Sequence, residues 1–271
     1  MKRISIFMAM AALLIFSSVS FAKEKLVIKG STTVLPVAQI VSESFMKDYP
    51  DIEVTLSGGG SGNGIKAILD GTTDIANASR FIKDKEVKTA ACEKGVYPVP
   101  FMVALDAIVP VVNPSNPVKN LTLSDLQKIY LGKATNWKEF GGPNMDIVVI
   151  SRDSSSGTYE VWSEIVLKKQ RVTPRALTVP SNGAIVQSIA STKGAIGYIG
   201  LGYLNNDVKL VNVDGVKGSE KTTQTGEYKI SRGLYMFTNG WPEGKIGKYI
   251  NYIMSPKGQE LVKKAGSISI Y

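Results

Sequence analysis

The 271-residue chain has no histidine and a single cysteine, Cys92. The first absence removes Ser-His-Asp and Cys-His nucleophilic mechanisms, histidine-containing zinc sites and the usual proton acceptor near neutral pH. The second makes a disulfide within the chain impossible, so a packed core must supply the stability. Cys92 itself reads as a packed helix residue rather than a reactive thiol. Carboxylates occur, but never at clustered metal-ligand spacing, and we expect neither a metal nor a cofactor. Past the first 22 residues no apolar run approaches the ~18 residues of a spanning helix. The net charge is +9, yet the lysines are scattered rather than striped and no basic-aromatic interleaving occurs. That pattern argues against nucleic acid and for a surface that attracts small anions.

Lys2 and Arg3 precede an apolar run over 4–16, and Ser20-Phe21-Ala22 places small residues at the two positions a signal peptidase reads. We expect a signal peptide over 1–22, cleaved after Ala22. No cysteine lies nearby to take a lipid, so the mature chain is expected to be a soluble exported protein.

The rest alternates short strand-like runs with helical patterns, the mark of an α/β architecture. Leu26-Val27-Ile28 reads as the first strand. A helix follows from about Pro36, with Val37, Val41 and Phe45 on one face, and Tyr49-Pro50-Asp51 ends it. A second strand over 52–56, a short helix over 65–69, a third strand over 74–80 and helices over 158–169, 245–254 and 256–264 complete the reading. Two long extended runs, 106–113 and 228–238, look like crossings between lobes. They divide the chain into a discontinuous first lobe, 23–108 plus 233–271, and a continuous second lobe, 109–232, joined by two hinge strands that would let the lobes close on a ligand.

The residues that carry chemistry are hydroxyls, glycines and arginine. Ser151-Arg152-Asp153-Ser154-Ser155-Ser156-Gly157-Thr158 follows the strand-like run Ile147-Val148-Val149-Ile150 and opens a helix. A guanidinium fork, reorienting hydroxyls and the free N–H groups of a helix start together make an oxyanion cradle. Gly30-Ser31-Thr32-Thr33 repeats that logic without the arginine, although such threonines also serve as helix caps. Gly58-Gly59-Gly60-Ser61-Gly62-Asn63-Gly64 lacks the lysine of a nucleotide loop. It reads either as a flexible turn or as backbone N–H groups cupping an anion, with Ser61 adding a hydroxyl. Arg80 ends the third strand. Phosphate keeps a proton near neutral pH and sulfate does not, so a buried acceptor carboxylate would favour phosphate. Asp74 and Asp153 are the candidates.

These blocks, in this order and followed by Gly194-Ala195-Ile196-Gly197-Tyr198, resemble the phosphate-binding proteins of bacterial phosphate ABC transporters in their short form. The resemblance covers essentially the whole mature chain and is most specific at Arg152-x-x-x-Ser156-Gly157-Thr158. It implies an α/β, two-lobed periplasmic-binding-protein fold of type II, each lobe a mixed sheet flanked by helices. It also implies inorganic phosphate as ligand, the membrane permease of the transporter as partner, a monomer in the periplasm, and no catalysis. Residue by residue it places Thr32, Ser61 and the backbone of Thr33 on one side of the anion, with Ser79 and Arg80 in the adjoining stretch. Arg152, Ser156, Gly157 and Thr158 close from the other side. Asp153, within the same loop, joins the phosphate-binding set as a candidate proton acceptor rather than through the resemblance. In long-form relatives an aspartate follows the serine matching Ser79, whereas here Arg80 stands in that place. The rival readings are a binding protein for sulfate or molybdate and a serine-dependent phosphatase, the latter without an evident activator for its nucleophile.

Overall fold

The structure, a computed structural model, describes residues 23–271, so the expected signal peptide lies outside the described residues. The strands are β1 (Glu24–Gly30), β2 (Ile52–Ser57), β3 (Ile75–Ala78), β4 (Pro98–Val112), β5 (Asn120–Leu121), β6 (Val148–Arg152), β7 (Leu177–Val179), β8 (Ala195–Gly200), β9 (Lys209–Leu210), β10 (Asn212–Val213) and β11 (Ser231–Asn239). The helices are α1 (Leu35–Asp48), α2 (Ser61–Leu69), α3 (Asp84–Lys88), α4 (Leu123–Tyr130), α5 (Gly157–Ile165), α6 (Asn182–Ser191), α7 (Glu220–Gln224), α8 (Gly244–Met254) and α9 (Pro256–Lys264).

One curled, mixed sheet runs β2-β1-β3-β11-β4-β8-β6-β7, with β9 also on β4. At one end β2, β1 and β3 are parallel, and at the other β8, β6 and β7 are parallel. Between them β11 and β4 run antiparallel to each other and to their outer neighbours. Every residue of β3 and β8 is buried, as strands covered on both faces must be.

Two large apolar cores lie along this sheet, with a smaller third cluster around Ile65, Ile68, Ala76, Val96 and Phe237. The first joins Leu26 and Ile28 of β1, Val37, Val41 and Phe45 of α1, and Tyr249, Ile250, Ile253 and Val262 of the last two helices. The second is drawn from residues 107–230, around Trp137, Trp162, Tyr130 and Tyr198. The chain passes from one core to the other between Ala104 and Ala107 on β4, and back between Ile230 and Leu234 at β11. Each fully buried aliphatic or aromatic side chain contributes roughly 1.5–3 kcal/mol, and these cores hold dozens without a disulfide.

Several local expectations shift. β4 begins eight residues before the expected crossing at 106, because its ladder to β11 runs back to Pro98 while β8 pairs only with Ile108–Val112. The stretch with Pro98 and Pro100 is laddered to β11 alone, and a strand with one open side tolerates missing N–H groups. The helix expected over 158–169 stops at Ile165, and Lys168 and Lys169 adopt left-handed backbone angles. The expected packing of Cys92 is incorrect: it lies on an exposed π-helical turn, Thr89–Lys94, in which Ala90 makes the buried contact.

Candidate functional site

The loops that leave the carboxyl ends of β1, β2 and β3 face those that leave β6, β7 and β8. That edge is where parallel strands deliver backbone N–H groups and helix starts to a ligand. Thr32 and Thr33 follow β1, Ser61 follows β2 and Ser79 follows β3. From the other core, Asp153, Ser156, Gly157 and Thr158 follow Arg152 at the end of β6, and Asn182 opens α6 after β7. All six hydroxyl residues, Thr32, Thr33, Ser61, Ser79, Ser156 and Thr158, are buried.

Arg152 is 3% exposed. Its Nε donates to the Val179 carbonyl (3.1 Å) and Nη2 to the Pro180 carbonyl (2.8 Å), which fixes the plane of the fork. Nη1 is buried and meets no hydrogen-bond acceptor among the described residues. Burial pushes the guanidinium down from its ordinary value, and the Asp153 carboxylate, 3.8 Å from Nη2, pulls it back up. Its backbone N–H donates to the Tyr198 hydroxyl (3.2 Å), and Tyr198 in turn stacks flat on Trp162 at 4.4 Å. The strand end that aims the arginine is thus set by the second core.

The loop after Arg152 is shaped by its own polar atoms. Asp153 Oδ1 accepts the Ser155 N–H (2.8 Å) and the Ser155 hydroxyl. Ser156 caps α5 by accepting the Tyr159 N–H (3.2 Å), while the first N–H groups of that helix have no intrahelical acceptor. The glycine block meets this loop directly: Gly62 N–H donates to the Ser155 carbonyl (2.9 Å), and the Ser155 hydroxyl reaches the Gly59 carbonyl (3.1 Å). A Cβ at Gly157 would stand 2.4 Å from Ser61 Oγ and 2.8 Å from Ser79 Oγ, so only glycine lets the loops meet. α2 accordingly starts at Ser61, inside the block, rather than at 65.

Of the two roles open to Thr32 and Thr33, capping belongs to neither. Ser31 Oγ accepts the Thr33 N–H (3.1 Å) and lies 3.4 Å from the Val34 N–H at the start of α1. The threonine hydroxyls turn instead toward the opposite core. Thr33 Oγ1 lies 3.0 Å from Thr158 Oγ1, and Asn182 Nδ2 donates to Thr33 Oγ1 (3.0 Å) and approaches Thr32 Oγ1 (3.3 Å). Ser61 Oγ accepts the Ser79 N–H (2.9 Å).

Arg80 differs from the sequence reading. It is buried at the end of β3, but its fork is committed to carboxylates. Nη1 and Nη2 donate to Glu86 (2.8 and 2.7 Å), and Nε lies 2.8 Å from Glu160 Oε2, although its N–H points off that line. It is the centre of an ion-pair cluster with Lys83 (2.7 Å from Glu160) rather than a free anion donor. Asp74 is set aside as a proton acceptor: it sits just before β3, at the end of the sheet opposite these loops, where it accepts the Val27 N–H (2.8 Å).

Four residues that sequence reasoning passed over lie in the site. Arg232 on β11 donates from Nε (3.1 Å) and Nη2 (2.8 Å) to Asp106 Oδ2 on β4, from Nη1 to the Ser79 carbonyl (3.1 Å), and from Nη2 to Thr33 Oγ1 (3.2 Å). Asp106 Oδ1 accepts the Leu201 N–H (3.0 Å). Burial pushes Asp106 up and Arg232 down, and their mutual attraction opposes both shifts. Asn182 is the third and Tyr203 the fourth. The Tyr203 hydroxyl, its pKa pushed up to about 12 by burial, closes the floor by donating to the Thr32 carbonyl (2.6 Å). Among the described residues no three Cys, Asp or Glu side chains come together as metal ligands, so the donors here are hydroxyls, guanidinium and backbone N–H.

A family model described as a PBP superfamily domain matches residues 17–257. The phosphate-binding protein PstS of Bacillus subtilis is 33% identical over 242 residues, spanning 89% of this chain and 79% of that protein. The protein of the same name from Borreliella burgdorferi is 31% identical over 284 residues, spanning 100% of this chain and 99% of its own. Among solved structures, a Clostridium perfringens protein assigned as the substrate-binding protein of a phosphate ABC transporter, with phosphate bound, superposes with a TM-score of 0.86. It is 35% identical, and the match covers 92% of this chain and 100% of that one.

Proposed function

The chain belongs to the PstS family of phosphate-binding proteins within the PBP superfamily, and from that premise we propose that it captures inorganic phosphate between its two cores and delivers it to the membrane permease of a phosphate ABC transporter. The observation that carries this reading is Arg152: a buried guanidinium with two donors spent on carbonyls and Nη1 left over, beside hydroxyls from both cores. In such a dry setting a charge-assisted hydrogen bond is strong.

The working unit is a monomer exported to the periplasm, its lobes formed by 23–108 plus 233–271 and by 109–232. No helix among the described residues is long and apolar enough to cross a membrane. Capture needs no bond making or breaking. The anion enters between the lobes, Thr32, Ser61, Ser79 and the start of α5 donate to it, Arg152 neutralises it, and closure excludes water. Asp153 is the carboxylate beside Arg152, and we assign it the proton that phosphate retains and sulfate lacks.

Calorimetric titration of ligand-stripped mature protein near neutral pH tests both statements. Tight one-to-one phosphate binding without competition from sulfate is expected. Asp153→Asn should weaken phosphate and narrow its margin over sulfate. Sulfate binding by the unmodified protein would keep the architecture and assign a different oxyanion.

A further inference from the structure

Thr33 Oγ1 stands at the junction of four side chains: Arg232 and Asn182 behind it, Thr158 across the cleft and, through Asn182, Thr32 beside it. A hydroxyl owns one proton and two lone pairs, whereas a guanidinium or amide nitrogen can only donate. The amide of Asn182 has its orientation fixed independently, because Oδ1 accepts the Gly200 N–H (3.3 Å). Nδ2 therefore faces the threonines. Arg232 cannot turn away either, since Asp106 holds Nε and Nη2 and the Ser79 carbonyl holds Nη1. Both lone pairs of Thr33 are thus filled by donors that have no alternative, and its proton has one direction left: toward Thr158 Oγ1, 3.0 Å away in the opposite core. Among the described residues the Thr158 hydroxyl bonds Thr33 alone, and as the acceptor of that bond it keeps its own proton for the ligand.

We infer that Arg232 and Asn182 are positioning residues that polarise a Thr33-to-Thr158 relay and make the Thr158 hydroxyl a compulsory donor. The inference rests on the phosphate reading above and sharpens it. At Thr158 the site accepts only an unprotonated phosphate oxygen, so the ligand is turned until its proton lies elsewhere. Asp106 and Arg232 sit where the chain changes cores, and the relay crosses from one core to the other. The same bonds therefore tie anion orientation to the closed arrangement.

A double-mutant cycle read by calorimetry with inorganic phosphate near neutral pH tests the relay on the mature chain. Asn182→Ala frees one lone pair of Thr33, and Thr33→Val removes the relay while keeping its shape. Each is expected to weaken phosphate roughly tenfold, and the double variant should be no weaker than Thr33→Val alone. Thr33→Ser, which restores the hydroxyl, should recover affinity to within about threefold of the unmodified protein. Losses that multiply, single variants without loss, or a Thr33→Ser protein as weak as Thr33→Val would each overturn the relay. If Asn182→Ala does not fold, Asn182→Leu, which keeps the side chain's outline without its donors, takes its place in the cycle. Absence of phosphate binding by the unmodified protein would instead overturn the phosphate reading from which the relay proceeds.

Discussion

Arg80 and Arg152 occupy matching places in the two cores. Each is buried at or just past the carboxyl end of a parallel strand, and each has its guanidinium plane fixed. They differ in what holds that plane. Arg80 is locked by Glu86 and Glu160, which satisfy its charge, although its Nε N–H meets no acceptor among the described residues. Arg152 is locked by two carbonyls, which satisfy protons but leave the charge nearly unspent, with Asp153 no closer than 3.8 Å. Residue type and strand-end position are common to both, so neither identifies an anion site. The inventory of partners does.

The largest effect that would break this contrast is loss of the arginines themselves. Arg152→Ala should weaken phosphate by at least about 3 kcal/mol, roughly a hundredfold in Kd. Arg80→Met should cost less than about tenfold, because the pair it dissolves is partly exposed and its carboxylates can rehydrate. Equal losses by titration would place both arginines on the anion and end the distinction. Next in size is Gly157→Ala. Its Cβ would meet two serine hydroxyls at once, forcing the loops of the two cores apart at a cost of about 1–3 kcal/mol in phosphate binding. Unfolding followed by circular dichroism should move much less, since both cores remain packed.

The smallest effect concerns pH. Burial alone would raise Glu86, but Arg80 and the Lys83 N–H outweigh it and hold the carboxyl below the ordinary value of 4.5. A group depressed on folding lends stability that is complete above its unfolded pKa and lost as the pH falls through the folded one. Glu86→Gln should therefore lower the thermal midpoint at pH 7 by a few degrees at most, for a loss of about 1 kcal/mol. The gap to the unmodified protein should close as the pH drops below about 4. A gap that widened in acid would mean the Arg80 cluster does not hold the carboxylate as described.

Much of this architecture is legible in the sequence, and the illegible parts share a cause. The face of α1 shows in the recurrence of Val37, Val41 and Phe45, and all three are fully buried. The loop from Arg152 to Thr158 shows because its chemistry is contiguous. Asp106, Asn182 and Arg232 do not show, because they meet only when β4, α6 and β11 are brought together across 50 to 126 positions. A signal existed for two of them: Asp106 and Arg232 are charges set within extended apolar runs, where an ionised group must find a partner. The start of β4 was hidden by Pro98 and Pro100, which mark a loop unless the strand has an open side. Cys92 was misplaced because the exposed π-helical turn Thr89–Lys94 buries Ala90 instead.

The position of β11 sets an order of assembly. It lies between β3 and β4, yet it is among the last elements to be synthesised. The second core draws on residues 107–230 and has every member in hand once that stretch has emerged. The first core cannot be completed until Leu234, Tyr249 and Val262 arrive, more than 200 positions after Leu26. Until then β3 and β4 present bare ladder edges on either side of an unfilled slot, the kind of edge that recruits strands from other chains. The half of the molecule that leaves the ribosome first is therefore the half that finishes folding last, and it needs protection from its neighbours for the longest time.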